Sequence, residues 1–395
     1  MLTAYQNSDY LAVRIRAEAR GSKPIRIAFL VDISDSMNGE RLDCVKKTLR
    51  AARGLFEEGD RLSMVTFGSA AAVMANNIGL DGLDEFYRSV EALTTAGGTN
   101  LSAGIEKLLG LFLSELDAVV LLTDGHINQG MTSTVALCAM MRGLGLGSSG
   151  SGSSGFSVPI TALGYGPDHN QQLMRDLGLR SRGSYIFVDS ESMMPAAMGD
   201  LISGLRTEVL KGASLQVPAG LESCEYDSAS AIIGASYYVG SIVPDRDYWT
   251  VFRKRVGVTE VTPIVLTGSG SYTETLAWCG VSDCYDLKEQ VLRCRVAAAM
   301  LAVDKNQIEA LVEEIRAMPA EFQARPLVLN MIGRLADAVN ICSAPPAPAG
   351  LARMISGGAY LSVQRGVTSV AEDNTFSSPN QRHSSQHTQA VYDEI

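Results

Sequence analysis

Residues 118–123 read AVVLLT, an apolar run closed by one threonine, and residues 25–31 (IRIAFLV) are nearly as apolar. A strand with no polar face must be covered on both sides, which places it inside a sheet flanked by helices. The segments between these runs supply the helices. Leu42, Val45, Leu49, Ala52 and Phe56 recur at helical spacing, with Lys46, Lys47, Arg50 and Arg53 facing outward. Residues 62–67 predict a strand, 83–93 and 101–116 helices, 135–146 a helix, and 158–165 and 185–188 further strands around a helix at 171–177. Strands alternating with helices predict an α/β fold, a doubly wound and mostly parallel sheet. Right-handed crossovers then gather the strand-to-helix loops at one edge, where such sheets bind ligands.

Three polar pieces fall at that edge. They are Asp32-Ile33-Ser34-Asp35-Ser36, Gly97-Gly98-Thr99-Asn100 and Thr123-Asp124-Gly125. Two carboxylates and three hydroxyls drawn from these pieces make a set of hard oxygen donors. Such a set suits Mg²⁺ or Mn²⁺, with Ca²⁺ as an alternative, and suits Zn²⁺ poorly. Five protein oxygens leave room around the ion for a ligand from outside. Read without a metal, the same hydroxyls would serve as helix caps and turn residues.

A strand ending in Asp-x-Ser-x-Ser, a later Gly-Gly-Thr and a strand ending in Thr-Asp-Gly resemble the von Willebrand factor A domain, over roughly residues 24–210. The segments LGYGPDHNQQLMRDLG and SRGSYIFVDS are similar to that family's closing strands. The resemblance implies a metal-ion-dependent adhesion site with Ser34, Ser36 and Thr99 as hydroxyl ligands and Asp32 and Asp124 bound directly or through water. It also implies that an acidic side chain of a partner completes the coordination. One position departs from the pattern: where the family commonly carries glycine, Asp35 stands between the two serines. Aspartate tolerates a left-handed turn, so the loop is expected to form, with an added negative charge beside the metal. His126, just past Thr-Asp-Gly, lies close enough to meet a ligand, or is simply an exposed loop histidine.

Beyond residue 210 the pattern changes. Residues 211–285 predict an antiparallel β-sandwich, 286–342 a helical segment, and 343–395 a tail rich in Ser, Gln and Asn that ends in Asp393, Glu394 and the Ile395 carboxylate. The alternating stretch 10–17 (YLAVRIRA) predicts a strand in the 1–23 segment that joins the sandwich. Residues 147–155 read GSSGSGSSG, the composition of an engineered linker or of a natural low-complexity loop.

A formal charge of −10 and a pI near 5.0 argue against nucleic-acid binding. Seven scattered cysteines form no small disulfide framework, no basic-then-apolar leader opens the chain, and no apolar run approaches the ~20 residues of a membrane span. A soluble protein of the cytoplasm is expected. His383 with His387, and Cys279 with Cys284, are too few to make metal sites. No phosphate-binding loop or nucleophile motif occurs, so no catalysis is expected. The expected function is a metal-dependent protein-binding or scaffold module that grips an Asp, a Glu or a C-terminal carboxylate. The alternatives are a regulatory subunit of a chelatase or ATPase machine, and a structural protein that self-associates through its acidic tail.

Overall fold

The computed structural model describes residues 2–19, 21–108, 111, 116–143, 158–165, 169–181, 183–188, 194–216, 218–224, 232–233, 236–244, 246–258, 264–268, 272–276, 284–302 and 304–343. The 147–155 stretch, the tail beyond Ser343 with its two histidines, and Cys279 lie outside the described residues. The chain opens with strands β1 (Leu2–Gln6) and β2 (Tyr10–Arg16), and it divides into two compact units. One unit holds residues 20–207. The other holds residues 1–19 and residues 208–343.

The first unit is built on β3 (Arg26–Asp32), β4 (Arg61–Phe67), β5 (Ala71–Ile78), β6 (Ala118–Thr123), β7 (Ile160–Tyr165) and β8 (Ser184–Val188). They form one sheet in the order β5-β4-β3-β6-β7-β8, parallel throughout except for β5, which runs antiparallel to β4. Every residue of β6, and every residue of β3 after Arg26, is buried. Helices account for this burial on both faces. Phe29 meets Phe86 of α2 (Leu83–Glu91), with ring centroids 6.2 Å apart. The next residue, Leu30, lies against Gly104 of α3 (Leu101–Leu108), where a β-carbon would come within 3.0 Å of it. Successive side chains of a strand point to opposite faces, so these two contacts report two covered faces.

Helix α1 (Glu40–Ala51) follows β3 and buries Leu42, Cys44, Val45, Thr48 and Leu49, while Lys47 stays exposed. The remaining helices are α4 (Thr134–Gly143), α5 (Gln171–Arg180) and α6 (Met194–Thr207). A buried polar network locks α6 to the loop before β4. Arg206 donates to both carboxylate oxygens of Asp60, at 3.2 and 2.6 Å, and to the carbonyl of Leu55. Asp60 also accepts the amides of Ile25 and Glu57, so the buried pair is satisfied on all sides.

Strand β5 escapes a reading by periodicity. Its AAVMANNI sequence has no apolar alternation, because it is an edge strand with Val73 and Met74 exposed. The connection out of β3 runs to β4 on one side, and the sheet then continues from β6 on the other. Strand order therefore reverses between β3 and β6. A crevice for a ligand is expected beyond their carboxyl ends, which carry Asp32 and Thr123-Asp124.

In the second unit, β1 and β2 form a hairpin, and β2 pairs with β13 (Asp247–Lys254), which pairs with β10 (Leu221–Ser223). A second antiparallel sheet contains β9 (Leu210–Gln216), β11 (Ile232–Ile233), β12 (Ser236–Ile242), β14 (Val265–Gly268) and β15 (Tyr272–Thr275). Leu11, Val13, Ile15 and Phe252 of the first sheet share one hydrophobic cluster with Leu215, Tyr237 and Leu266 of the second. On the opposite face of β2, Ala12 packs with Val251 against Leu287 and Cys294 of the helix Tyr285–Ala302. Helices Lys305–Arg316, Ala320–Gln323 and Pro326–Ser343 close this unit around Val296, Ile308, Phe322 and Leu335.

Candidate metal centre

Asp32 is the last residue of β3, and its carboxylate is fully buried. One oxygen accepts the Ser34 amide at 2.8 Å, and the other accepts the hydroxyl of Thr123 at the end of β6. Thr123 in turn accepts the Gly125 amide at 2.9 Å. The two central strands are thus joined at their tips by one threonine, which carries no sequence signal beyond its place before Asp124. Burial is the largest influence on Asp32 and raises its carboxyl above the ordinary value. The bonds from Thr123 and Ser34 oppose this, and the neighbouring charge of Asp124 adds to it.

Ser34 precedes a single 3₁₀ turn, Asp35–Met37, and its hydroxyl shares a 3.0 Å hydrogen bond with that of Ser36. Ser34 is buried and Ser36 is exposed, so the hydroxyl pair runs from the interior to the surface. Asp35 lies in this right-handed turn, and no left-handed conformation is needed there. The only non-glycine residue at positive φ among the described residues is Asn77. The Asp35 carboxylate accepts the Gly97 amide at 3.0 Å, and its own amide donates to the Gly97 carbonyl at 2.8 Å. The unusual aspartate is a clasp between the first and second motifs.

That clasp brings Thr99 to the same edge. Gly97 has φ near +69°, a conformation that favours glycine. A β-carbon on Gly98 would collide with Asn128 and Gln129. Asn128 accepts the Thr99 amide at 2.8 Å through its side chain and donates its own amide to the Thr99 carbonyl. Behind them, Gly68 sits where a β-carbon would lie 2.2 Å from the Ala96 carbonyl oxygen. The Ala96 amide donates to the Ile33 carbonyl, so this close approach fixes the height of the whole loop. Asn128 and Gly68 are positioning residues that the motifs did not reveal. Only their place just past strand ends could have drawn attention to them.

Asp124 is also fully buried. One oxygen accepts the amide of His126 at 3.2 Å, and the other accepts Nη1 of Arg41 at 2.7 Å. The same Nη1 donates to the Ser36 carbonyl at 3.2 Å. His126 itself is exposed. Asp32 makes no ion pair among the described residues, so of the two buried carboxylates only Asp124 has a guanidinium partner.

The donor chemistry fits a hard divalent cation. Two buried carboxylates with one positive partner leave charge that a dication would compensate, and the hydroxyls of Ser34, Ser36 and Thr99 are neutral oxygen donors. Among the described residues no group of three or more His, Cys, Asp and Glu side chains gathers, so a centre here relies on hydroxyls beyond its two carboxylates. That mixture disfavours a soft-metal cage.

Residues 27–199 match the von Willebrand factor type A domain, and this part of the chain is such a domain. The uncharacterised protein sll0103 of Synechocystis is 26% identical over 187 residues, spanning 46% of this chain and 42% of that protein. Inter-alpha-trypsin inhibitor heavy chain H1 of Sus scrofa is 25% identical over 211 residues, spanning 49% of this chain and 22% of its own length. The matched region is therefore less than half of each of these relatives. Among solved structures, a von Willebrand factor type A protein from Catenulispora acidiphila superimposes with a TM-score of 0.60 at 15% identity, covering 94% of this chain and 97% of that one. The ArnB paralog VWA2 from Sulfolobus acidocaldarius gives 0.55 at 16% identity, covering 91% and 97%. At such identities the likeness is one of fold, and it extends over both units.

Proposed function

We propose that the chain is a protein-binding or scaffold module whose grip depends on a divalent metal, with Mg²⁺ as the first candidate and Mn²⁺ or Ca²⁺ as alternatives. Asp32, Ser34, Ser36, Thr99 and Asp124 would hold the ion, and bound metal would supply a Lewis-acidic position for an Asp, Glu or C-terminal carboxylate of the partner. The observation that carries this reading is the pair of fully buried carboxylates at the strand-order reversal, opening to the surface through the exposed Ser36. The protein's own part is binding and orientation. Thr123 and Asn128 hold the first and second loops in place, and Asp35 ties those loops together. No residue is assigned a catalytic role, and a soluble cytoplasmic setting belongs to the proposal. Among the described residues no helix is long and apolar enough to cross a membrane.

Calorimetry with Mg²⁺ on the wild type and on Asp32→Ala tests the ion: binding by the first and none by the second is expected, and equal binding would refute the site. Affinity purification with and without chelator tests the grip, since the partner should be lost when the metal is removed. The partner's identity separates this reading from a regulatory subunit of a chelatase or ATPase machine. Self-association in Mg²⁺, abolished by deleting residues 380–395, would instead favour assembly through the acidic tail.

A further inference from the structure

The guanidinium of Arg41 stands where a cation is least comfortable. It lies in the first turn of α1, and the partial positive charge of a helix N-terminus repels a basic side chain. What holds it there is Asp124, whose carboxylate is 1% exposed and pairs with Nη1 at 2.7 Å, together with the Ser36 carbonyl at 3.2 Å. These are the two elements on which the metal reading depends: the carboxylate after β6 and the second serine of the first loop. The guanidinium carries one charge and satisfies one carboxylate, while Asp32, joined to β6 through Thr123, is left to hydrogen bonds alone. A dication would serve both acids at once. The Arg41 side chain is 31% exposed, so it has an open path outward.

We infer that Arg41 is a resident counter-cation that competes with the divalent metal for Asp124, and that its departure is part of metal binding. This rests on the metal reading and deepens it: the site has two states, one closed by arginine, which pairs with Asp124 alone, and one open with metal, which serves both carboxylates. A ligand that must first displace an internal occupant binds more weakly, by the fraction of molecules in the competent state. A hydrogen bond to a charged group is strong enough to set that penalty at roughly ten- to a hundredfold. Arg41 would then tune the free metal concentration at which the partner site becomes available.

The test compares the whole chain with Arg41→Gln, using Mg²⁺ and Mn²⁺ as probes. By calorimetry R41Q should bind Mg²⁺ at least about tenfold more tightly than the wild type. In chelator R41Q should melt several degrees lower, because the buried Asp124 has lost its counter-charge, and saturating Mg²⁺ should erase that deficit. Equal or weaker Mg²⁺ binding by R41Q, with the wild type still binding, would overturn the inference and leave the metal reading standing. Absence of Mg²⁺ and Mn²⁺ binding by both proteins would overturn the metal reading and this inference with it. If R41Q does not fold in chelator, the wild type decides: the Arg41 side-chain resonance, assigned by its loss in Arg41→Lys, should shift with the same midpoint as Mg²⁺ binding. A resonance unmoved at saturation would overturn the displacement.

Discussion

At the scale of single residues, Asp32 shows how the site is held ready. Burial raises its carboxyl above the ordinary value near 3.8. The folded protein therefore holds this proton more tightly than the unfolded chain. Stability from this group is fully present below the unfolded value and is lost as pH rises through the raised folded value. Asp32→Asn keeps an acceptor for the Ser34 amide and a polar partner for Thr123 but cannot ionise. In chelator its melting temperature should exceed that of the wild type at pH 7, and the gap should close as pH falls toward 4. For a unit of this size each kcal/mol corresponds to about 2–4 °C. Parallel melting curves across that range would show that the charge carries no cost. Asp35 makes a second test. If it is a clasp and not a field beside the metal, Asp35→Asn, which retains the acceptor for Gly97, should leave Mg²⁺ affinity within about threefold, while Asp35→Ala should weaken it by about tenfold, the worth of roughly one such bond. Equal losses in both variants would mean that the charge matters and the clasp does not.

At the scale of elements, the edge of the sheet depends on how closely its loops can stack. The turn after β4 passes under the loop that carries Thr99, and Gly68 is where the two backbones meet. A β-carbon 2.2 Å from the Ala96 carbonyl cannot be absorbed by a rotamer change, because the obstacle is backbone. Gly68→Ala should therefore displace residues 96–100 from Ile33 and Asp35. The expected result is a loss of about 2 kcal/mol or more in stability, in the range of overpacking. A fall in metal affinity larger than that of a distant variant of equal stability cost should accompany it, read by calorimetry. The reversal of strand order between β3 and β6 explains why this edge is the one that matters. It parts the loops after β3 and β6 to opposite sides and leaves Asp32 and Asp124 facing the gap.

At the scale of the whole molecule, each unit has its own core. Every residue assigned to the metal centre falls between Asp32 and Asp124, within the unit of residues 20–207. The second unit closes around two antiparallel sheets and a helical cluster of its own. Residues 20–207 expressed alone should fold cooperatively and bind Mg²⁺ within about threefold of the full chain, by circular dichroism and calorimetry. Failure to fold would mean that the unit leans on the rest of the chain for stability. Partner binding can be divided in the same way, since loss of the partner by a fragment that keeps its metal would place part of the grip on the second unit.

The sequence by itself determined the alternation of strands and helices, the α/β class of the first half, and the three oxygen-bearing motifs at strand ends. These are local properties: an apolar run must be covered, helical spacing makes a face, and a motif adjoins the strand it follows. What only the tertiary structure decided are pairings between distant parts of the chain. Arg41 meets Asp124 across 83 residues, Asp35 clasps Gly97 across 62, Thr123 joins Asp32 across 91, and Gly68 yields to Ala96. Neither partner in such a pair carries a pattern that announces the other. The edge strand β5 was hidden for a related reason, because a strand exposed along most of its length has no apolar period to read. Period is written along the chain, whereas register, strand order and the meeting of loops follow from packing in three dimensions. For that reason the oxygen-bearing side chains at the strand ends could be read from the sequence, and the pairing of Arg41 with Asp124 could not.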